Sequence, residues 1–262
     1  GLGILVIVSL VIFGGIKRIG RVASRMVPAM VLLYSFLVIL ILGIHIQDVP
    51  EYLYLIVADA FTANAALGGA VGEIIRTGFQ RAAFSNEAGI GTATLAHGAA
   101  KTKEPVREGL VAMMGPAIDT LIVCTMTALS ILVTGVWKTG DENGISLTAS
   151  AFGEALGTAG PLLLMICVTI FAFSSMFTYA YYGTKSLGFL IGAHRQKYYN
   201  YIYVVSIVLG SVTSIMSVIH LIDGMFALMA IPTMLGTLML APKVMEAAKD
   251  YFERIPTFKQ YK

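Results

Sequence analysis

Charge is what this sequence has least of. Asp, Glu, Lys and Arg make up only 13% of its 262 residues, against about 25% in soluble domains. With 57% hydrophobic residues and a mean hydropathy of +0.81, that scarcity excludes a water-soluble globule and predicts an all-α, multi-span membrane protein. Period-two alternation is missing from the apolar runs, which sets aside barrel strands in favour of helices. Cysteine is nearly absent too: Cys124 and Cys167 both lie in apolar runs and read as buried structural thiols, not as a disulfide or metal pair. The net charge of +3 comes from cations in short loops rather than on one face, which argues against nucleic acid as a partner. Neither an initial methionine nor a charged leader precedes the first apolar run. The sequence therefore reads as a piece of a longer chain and not as a signal peptide.

What is present is a series of seven apolar segments, at 1–16, 27–45, 57–80, 108–136, 159–190, 200–220 and 224–242. They form a single transmembrane domain over 1–262. The first connection, KRIGRVASR, holds Lys17, Arg18, Arg21 and Arg25 and no acid, so it belongs on the cytoplasmic side. Alternation then puts Asp48, Glu51, Lys138, Asp141, Glu142, His220 and Asp223 outside. It puts Arg81, Lys101, Lys103, Arg107, Arg195, Lys197 and the tail from Pro242 inside. Of 18 Lys and Arg, only Lys138 falls in an outer loop, as seven spans with a cytoplasmic C-terminus require. The tail itself predicts a short amphipathic helix at the inner interface.

The third segment opens the stretch 57–91, and its middle is built to fail as a helix. Gly68, Gly69 and Gly72 each cost a helix about 1 kcal/mol relative to alanine. Thr62 and Asn64 compete for backbone hydrogen bonds. A broken helix at membrane depth frees backbone groups that a transporter uses to hold an ion or a zwitterion; close helix packing through small residues is the alternative. The following FSNEAGIG predicts a hinge or inner gate through Asn86, Glu87, Gly89 and Gly91. His97 reads as a satisfied interface histidine, since no second His or Cys stands at metal-ligand spacing from it.

Two further places carry chemistry. Asp119 and Thr120 lie about eleven residues into the fourth segment, roughly 16 Å along a helix, just after Pro116. A carboxylate at that depth marks a cation or proton site, or caps a neighbouring helix. In the fifth segment Ser174 and Ser175 sit mid-span, and adjacent hydroxyls there supply oxygen ligands to a small hard cation. Tyr179 lies one turn beyond Ser175 on the same face. The alternative is an aromatic packing stripe with hydroxyls bonded to their own helix. In the second segment the Tyr34 hydroxyl is expected to bond its own backbone.

Four stretches resemble one family. GFQRAAFSNEAGIGTATLAHGAA (78–100) is similar to the signature of the alanine or glycine:cation symporters, the sodium:alanine symporter family. REGLVAMMGPAIDTLIVCTMTALSILVTG (107–135), GIKRIGRVASRMVPAMVLLYSFLVIL (15–40) and FAFSSMFTYAYYG (171–183) resemble its other helices. The resemblance implies a leucine-transporter-type fold of two inverted five-helix repeats. This chain would hold the last two helices of the first repeat and all of the second, so its partners would include the missing N-terminal repeat of the same chain. Segment 57–80 would then be a broken helix facing substrate at Gly68 and Gly69. Ser174 and Ser175 would stand where the family commonly has two threonines on sodium, and Tyr179 where it commonly has a pocket tryptophan. Thr184 replaces a common glutamate. The implied function is symport of a small neutral amino acid, alanine or glycine, with sodium as coupling ion and no other cofactor. It would run by alternating access in a plasma (inner) membrane, without enzymatic chemistry. A proton-coupled carrier using Asp119 is the rival.

Overall fold

The computed structural model describes residues 1–60, 78, 90–138, 142 and 144–254. Among these, secondary structure is entirely helical: α1 (Leu2–Ile12), α2 (Gly15–Ile44), α3 (Val49–Ala60), α4 (Ala93–His97), α5 (Pro105–Ala117), α6 (Thr125–Thr134), α7 (Ile145–Leu156), α8 (Ala159–Ile191), α9 (Tyr198–Val212) and α10 (Ile215–Arg254). A π-helical stretch, Ile118–Cys124, joins α5 to α6, so Pro105–Thr134 runs on without interruption. Gly15–Ile44, Pro105–Thr134, Ala159–Ile191 and Ile215–Arg254 are each long and apolar enough to cross a membrane.

Several helix ends differ from the sequence expectation. The basic stretch 17–25 is not a loop but the opening turns of α2. The chain turns instead at Phe13 and Gly14, and Gly15 takes a φ of 69°, a conformation glycine alone adopts without strain. Lys and Arg are good helix formers and carry their charge outward on long stems, so nothing in KRIGRVASR stops the helix. Glu51 likewise stands in the first turn of α3 rather than in a loop, while Asp48 lies in the turn just before it, and α3 takes up Val57–Ala60 of the expected third segment. At the other end of the chain the break falls at Thr213–Ser214, not at 221–223. Ser214 Oγ accepts the backbone N–H of Ser217 at 3.4 Å, the bond of an N-cap residue. From there α10 runs 40 residues through Pro232 and Pro242. His220 and Asp223 are thus helical, and the expected separate tail helix is the end of α10.

The described residues fall into two units. The first holds α1–α3 and α6–α9. Its core is Met30, Leu37, Val38 and Ile41 of α2, Val133 of α6, Phe152 of α7, and Leu164 and Cys167 of α8. Lipid is as apolar as these side chains, so shape-matched packing, not water exclusion, holds them together. Gly160 lets α8 approach α7 closely: a Cβ there would stand 2.0 Å from the Phe152 carbonyl oxygen. Cys124 and Cys167 are both outside any disulfide, and Cys167 is buried in the core.

The Tyr34 hydroxyl does not bond its own backbone. It meets Thr127 Oγ1 across the α2–α6 contact. Thr127 has one hydroxyl proton and donates it to the Val123 carbonyl at 2.9 Å, so Tyr34 is the donor of the pair. Its ring stacks on Phe152, with centroids 6.1 Å apart.

The second unit holds α4, α5 with the π stretch as far as Leu121, and α10. His97 Nδ1 lies 2.7 Å from Glu108 Oε1, which satisfies the histidine between α4 and α5 as expected. Arg254 at the end of α10 bonds Glu104 through both terminal guanidinium nitrogens, at 3.1 and 3.3 Å.

Candidate ion and substrate site

Ser174 lies 15 residues after Ala159 and 17 before Ile191, at the middle of α8. That helix is about 50 Å long at ~1.5 Å per residue, so Ser174 is far from either end. It is 8% exposed and shares the inward face with Phe177 and Tyr181. Its hydroxyl donates to the Phe171 carbonyl at 2.8 Å, the back-bond also made by Thr169, Thr178, Thr184 and Ser186 along the same helix. The packing alternative therefore accounts for the proton of Ser174. It leaves the oxygen lone pairs, which are what a cation uses. Ser175 is half-buried, one residue round the helix, with Tyr179 a turn further along its face. Tyr179 meets Tyr182 edge-on at 5.7 Å. Tyr203 of α9 donates to the Met176 carbonyl at 2.9 Å and pins α9 beside the serine pair. Ser174, Ser175 and Tyr179 thus occupy one stretch of one helix.

Asp119 and Thr120 belong to the second unit, in the π stretch Ile118–Cys124, and both are half-buried. Pro116 has no N–H for the helix ladder, and the wider turns begin two residues after it. Single π turns inside α-helices are frequent at functional sites. Thr62, Asn64, Gly68, Gly69, Gly72, Asn86, Glu87 and Gly89 lie outside the described residues.

Gly91 is described, and it is constrained. Its φ is 84°, and a Cβ there would stand 2.4 Å from Thr233 Cγ2 of α10. Thr233 Oγ1 in turn lies 2.9 Å from the Ile90 carbonyl. Gly91→Ala meets both the left-handed backbone and the Thr233 side chain, and is expected to destabilise the protein by about 2 kcal/mol or more. Adding Thr233→Ala should recover only part of the loss, because it removes the clash and leaves the strain. Thermal unfolding of the detergent-purified variants checks this; an unchanged midpoint for Gly91→Ala would contradict the geometry.

The sequence profile of the sodium:alanine symporter family matches residues 1–261. The chain belongs to the sodium:alanine symporter family. Among relatives of the family, an uncharacterized transporter of Haemophilus influenzae is 38% identical over 254 residues, covering 95% of this chain and 56% of its own length. The sodium/alanine symporter AgcS of Methanococcus maripaludis is 35% identical, over 97% of this chain and 56% of its own. The probable sodium/glutamine symporter GlnT of Bacillus subtilis is 34% identical, over 96% and 53%. The chain thus spans about half the length of the curated relatives it matches. Members of the sodium:alanine symporter family are transporters, not enzymes, and the apolar helices above fit a multi-pass membrane protein.

Within this family member, sequence reasoning missed contacts between residues far apart in the chain. Thr184 Oγ1 lies 3.0 Å from Asn200 Oδ1, linking α8 to α9. Lys138 sits 3.5 Å from the Tyr52 hydroxyl, 86 positions away in the chain. No spacing rule reaches such pairs.

Proposed function

We propose that the chain forms part of a sodium-coupled symporter of a small neutral amino acid, alanine or glycine, working by alternating access in a plasma membrane. The observation that carries this reading is Ser174: a buried hydroxyl oxygen at the middle of a helix long enough to span, in a member of a sodium:alanine symporter family. Sodium is held by the oxygens of Ser174 and Ser175. Substrate is held by the broken-helix residues Gly68, Gly69 and Gly72 with Thr62 and Asn64, against Tyr179. Asn86, Glu87, Gly89 and Gly91 form the inner gate. The fold is of the leucine-transporter type, completed by an N-terminal repeat, with the C-terminus cytoplasmic. That relatives are named for alanine and for glutamine symport with sodium supports assigning substrate choice to the side-chain pocket rather than to the ion site. A proton-coupled carrier is the second reading, favoured by the half-buried Asp119 in its π stretch.

Uptake of labelled alanine and glycine into proteoliposomes tests the two readings together. An inward sodium gradient should drive accumulation, and choline in its place should abolish it. Uptake indifferent to sodium but lost in Asp119→Asn would sink the sodium reading and leave the proton one.

A further inference from the structure

The ends of four helices in the first unit surround a cleft of about 380 Å³: the end of α1, the start of α2, the last turns of α8 and the start of α9. Its lining is in part polar and cationic, with Lys185, Lys197 and Asn200. It is also in part apolar, with Phe13, Ile16 and Tyr201, which are 50%, 44% and 60% exposed. The Lys185 ammonium stands 5.6 Å from the centre of the Tyr181 ring, a cation–π contact that favours this placement. Among the described residues no carboxylate pairs with Lys185 or Lys197. The sequence explains why: residues 1–47 and 155–222, which build all four walls, contain no Asp or Glu. The same helix ends carry Lys17, Arg18, Arg21, Arg25 and Arg195 besides.

We propose that this cleft is a binding site for an anionic phospholipid, its headgroup phosphate between Lys185 and Lys197 and its acyl chain along Phe13, Ile16 and Tyr201. A soluble anion would use the lysines but has no use for exposed aromatic and aliphatic wall. A zwitterionic lipid would use the wall but gains little from uncompensated cations. Only a lipid of net negative charge engages both parts of the lining. Each basic side chain near a membrane surface strengthens anionic-lipid binding by about fivefold, and the Tyr181 ring already favours the placement of the Lys185 ammonium. This site is independent of the coupling ion and of the transported substrate.

The purified protein, stripped of lipid in detergent, is titrated with phosphatidylglycerol or phosphatidylcholine, and bound lipid is read by native mass spectrometry. Phosphatidylglycerol should bind in preference, and Lys185→Gln/Lys197→Gln should weaken it about thirtyfold without changing phosphatidylcholine. Lys185→Arg/Lys197→Arg should restore binding, and Lys138→Gln at a different loop should change nothing. Should the double variant not purify, Lys197→Gln alone, in a turn outside the helices, should cost about fivefold. Equal retention of the two lipids overturns the proposal, as does a glutamine variant that binds like the parent. Displacement of the lipid by millimolar inorganic phosphate would mark a simple anion site and overturn it equally.

Discussion

Replacing Ser174 and Ser175 together by alanine is expected to raise the sodium concentration for half-maximal alanine uptake by at least about tenfold, the scale on which even outer partners of a metal site count. The thermal unfolding midpoint should move little. The separation of the two effects comes from the local bonding. Ser174 donates to Phe171, a carbonyl of its own helix, and such back-bonds add little to helix stability. Alanine is also the better helix former. What the pair does lose is two oxygens at the centre of α8, which on the proposed reading hold the cation. Ser174→Thr/Ser175→Thr, which keeps both oxygens, should preserve the sodium dependence. If the double alanine variant transports with the parent's sodium dependence, Ser174 and Ser175 do not hold the coupling ion, whatever else holds it.

Gly160→Ala should be strongly destabilising. The added Cβ would lie 2.0 Å from the Phe152 carbonyl oxygen and 2.5 Å from its carbon. Both atoms are backbone, so no rotamer change relieves the contact; α7 and α8 must separate along their whole interface. Overpacking of this kind costs about 1–3 kcal/mol, and the upper end applies because the displaced group is a helix and not a side chain. Separation also loosens Phe152 from Leu164 and Cys167, the centre of the core. Gly210→Ala in α9, where a Cβ meets nothing within 4 Å, should go the other way by up to about 1 kcal/mol. Opposite shifts of the unfolding midpoint for the two variants are the expected result; a parent-like midpoint for Gly160→Ala would show that the helices are not so closely packed.

The long spans were legible because their contrast is strong. An expected 159–190 became Ala159–Ile191, and 108–136 became Pro105–Thr134. The joints were not, because a polar residue is not a helix stop. KRIGRVASR and HLIDG looked like loops by charge. The breaks sit instead where a single residue takes an unusual conformation or caps a helix, Gly15 and Ser214. Of the candidate site, the hydroxyls and carboxylates inside apolar runs were legible as candidate oxygen ligands. Their surroundings were not, since Tyr203 on Met176 or Tyr34 on Thr127 joins residues 27 and 93 positions apart. The same blindness to long-range contacts kept the cationic cleft out of reach: its lysines are ordinary loop and helix-end residues until α1, α8 and α9 bring them together.

α10 has a mechanical consequence. Its 40 residues reach about 60 Å at ~1.5 Å per residue, twice the hydrocarbon thickness of a bilayer. About half of the helix must therefore lie beyond the oily layer, or the whole must lean. With its far tip tied to Glu104 by Arg254, the helix acts as a lever arm as far as Pro232 and Pro242 leave it stiff. A few degrees of lean in the apolar half become several ångströms of travel at the tip, delivered to the segment between α4 and α5. A spectroscopic label on Thr102 would thus register motion of a helix whose pivot lies tens of ångströms away.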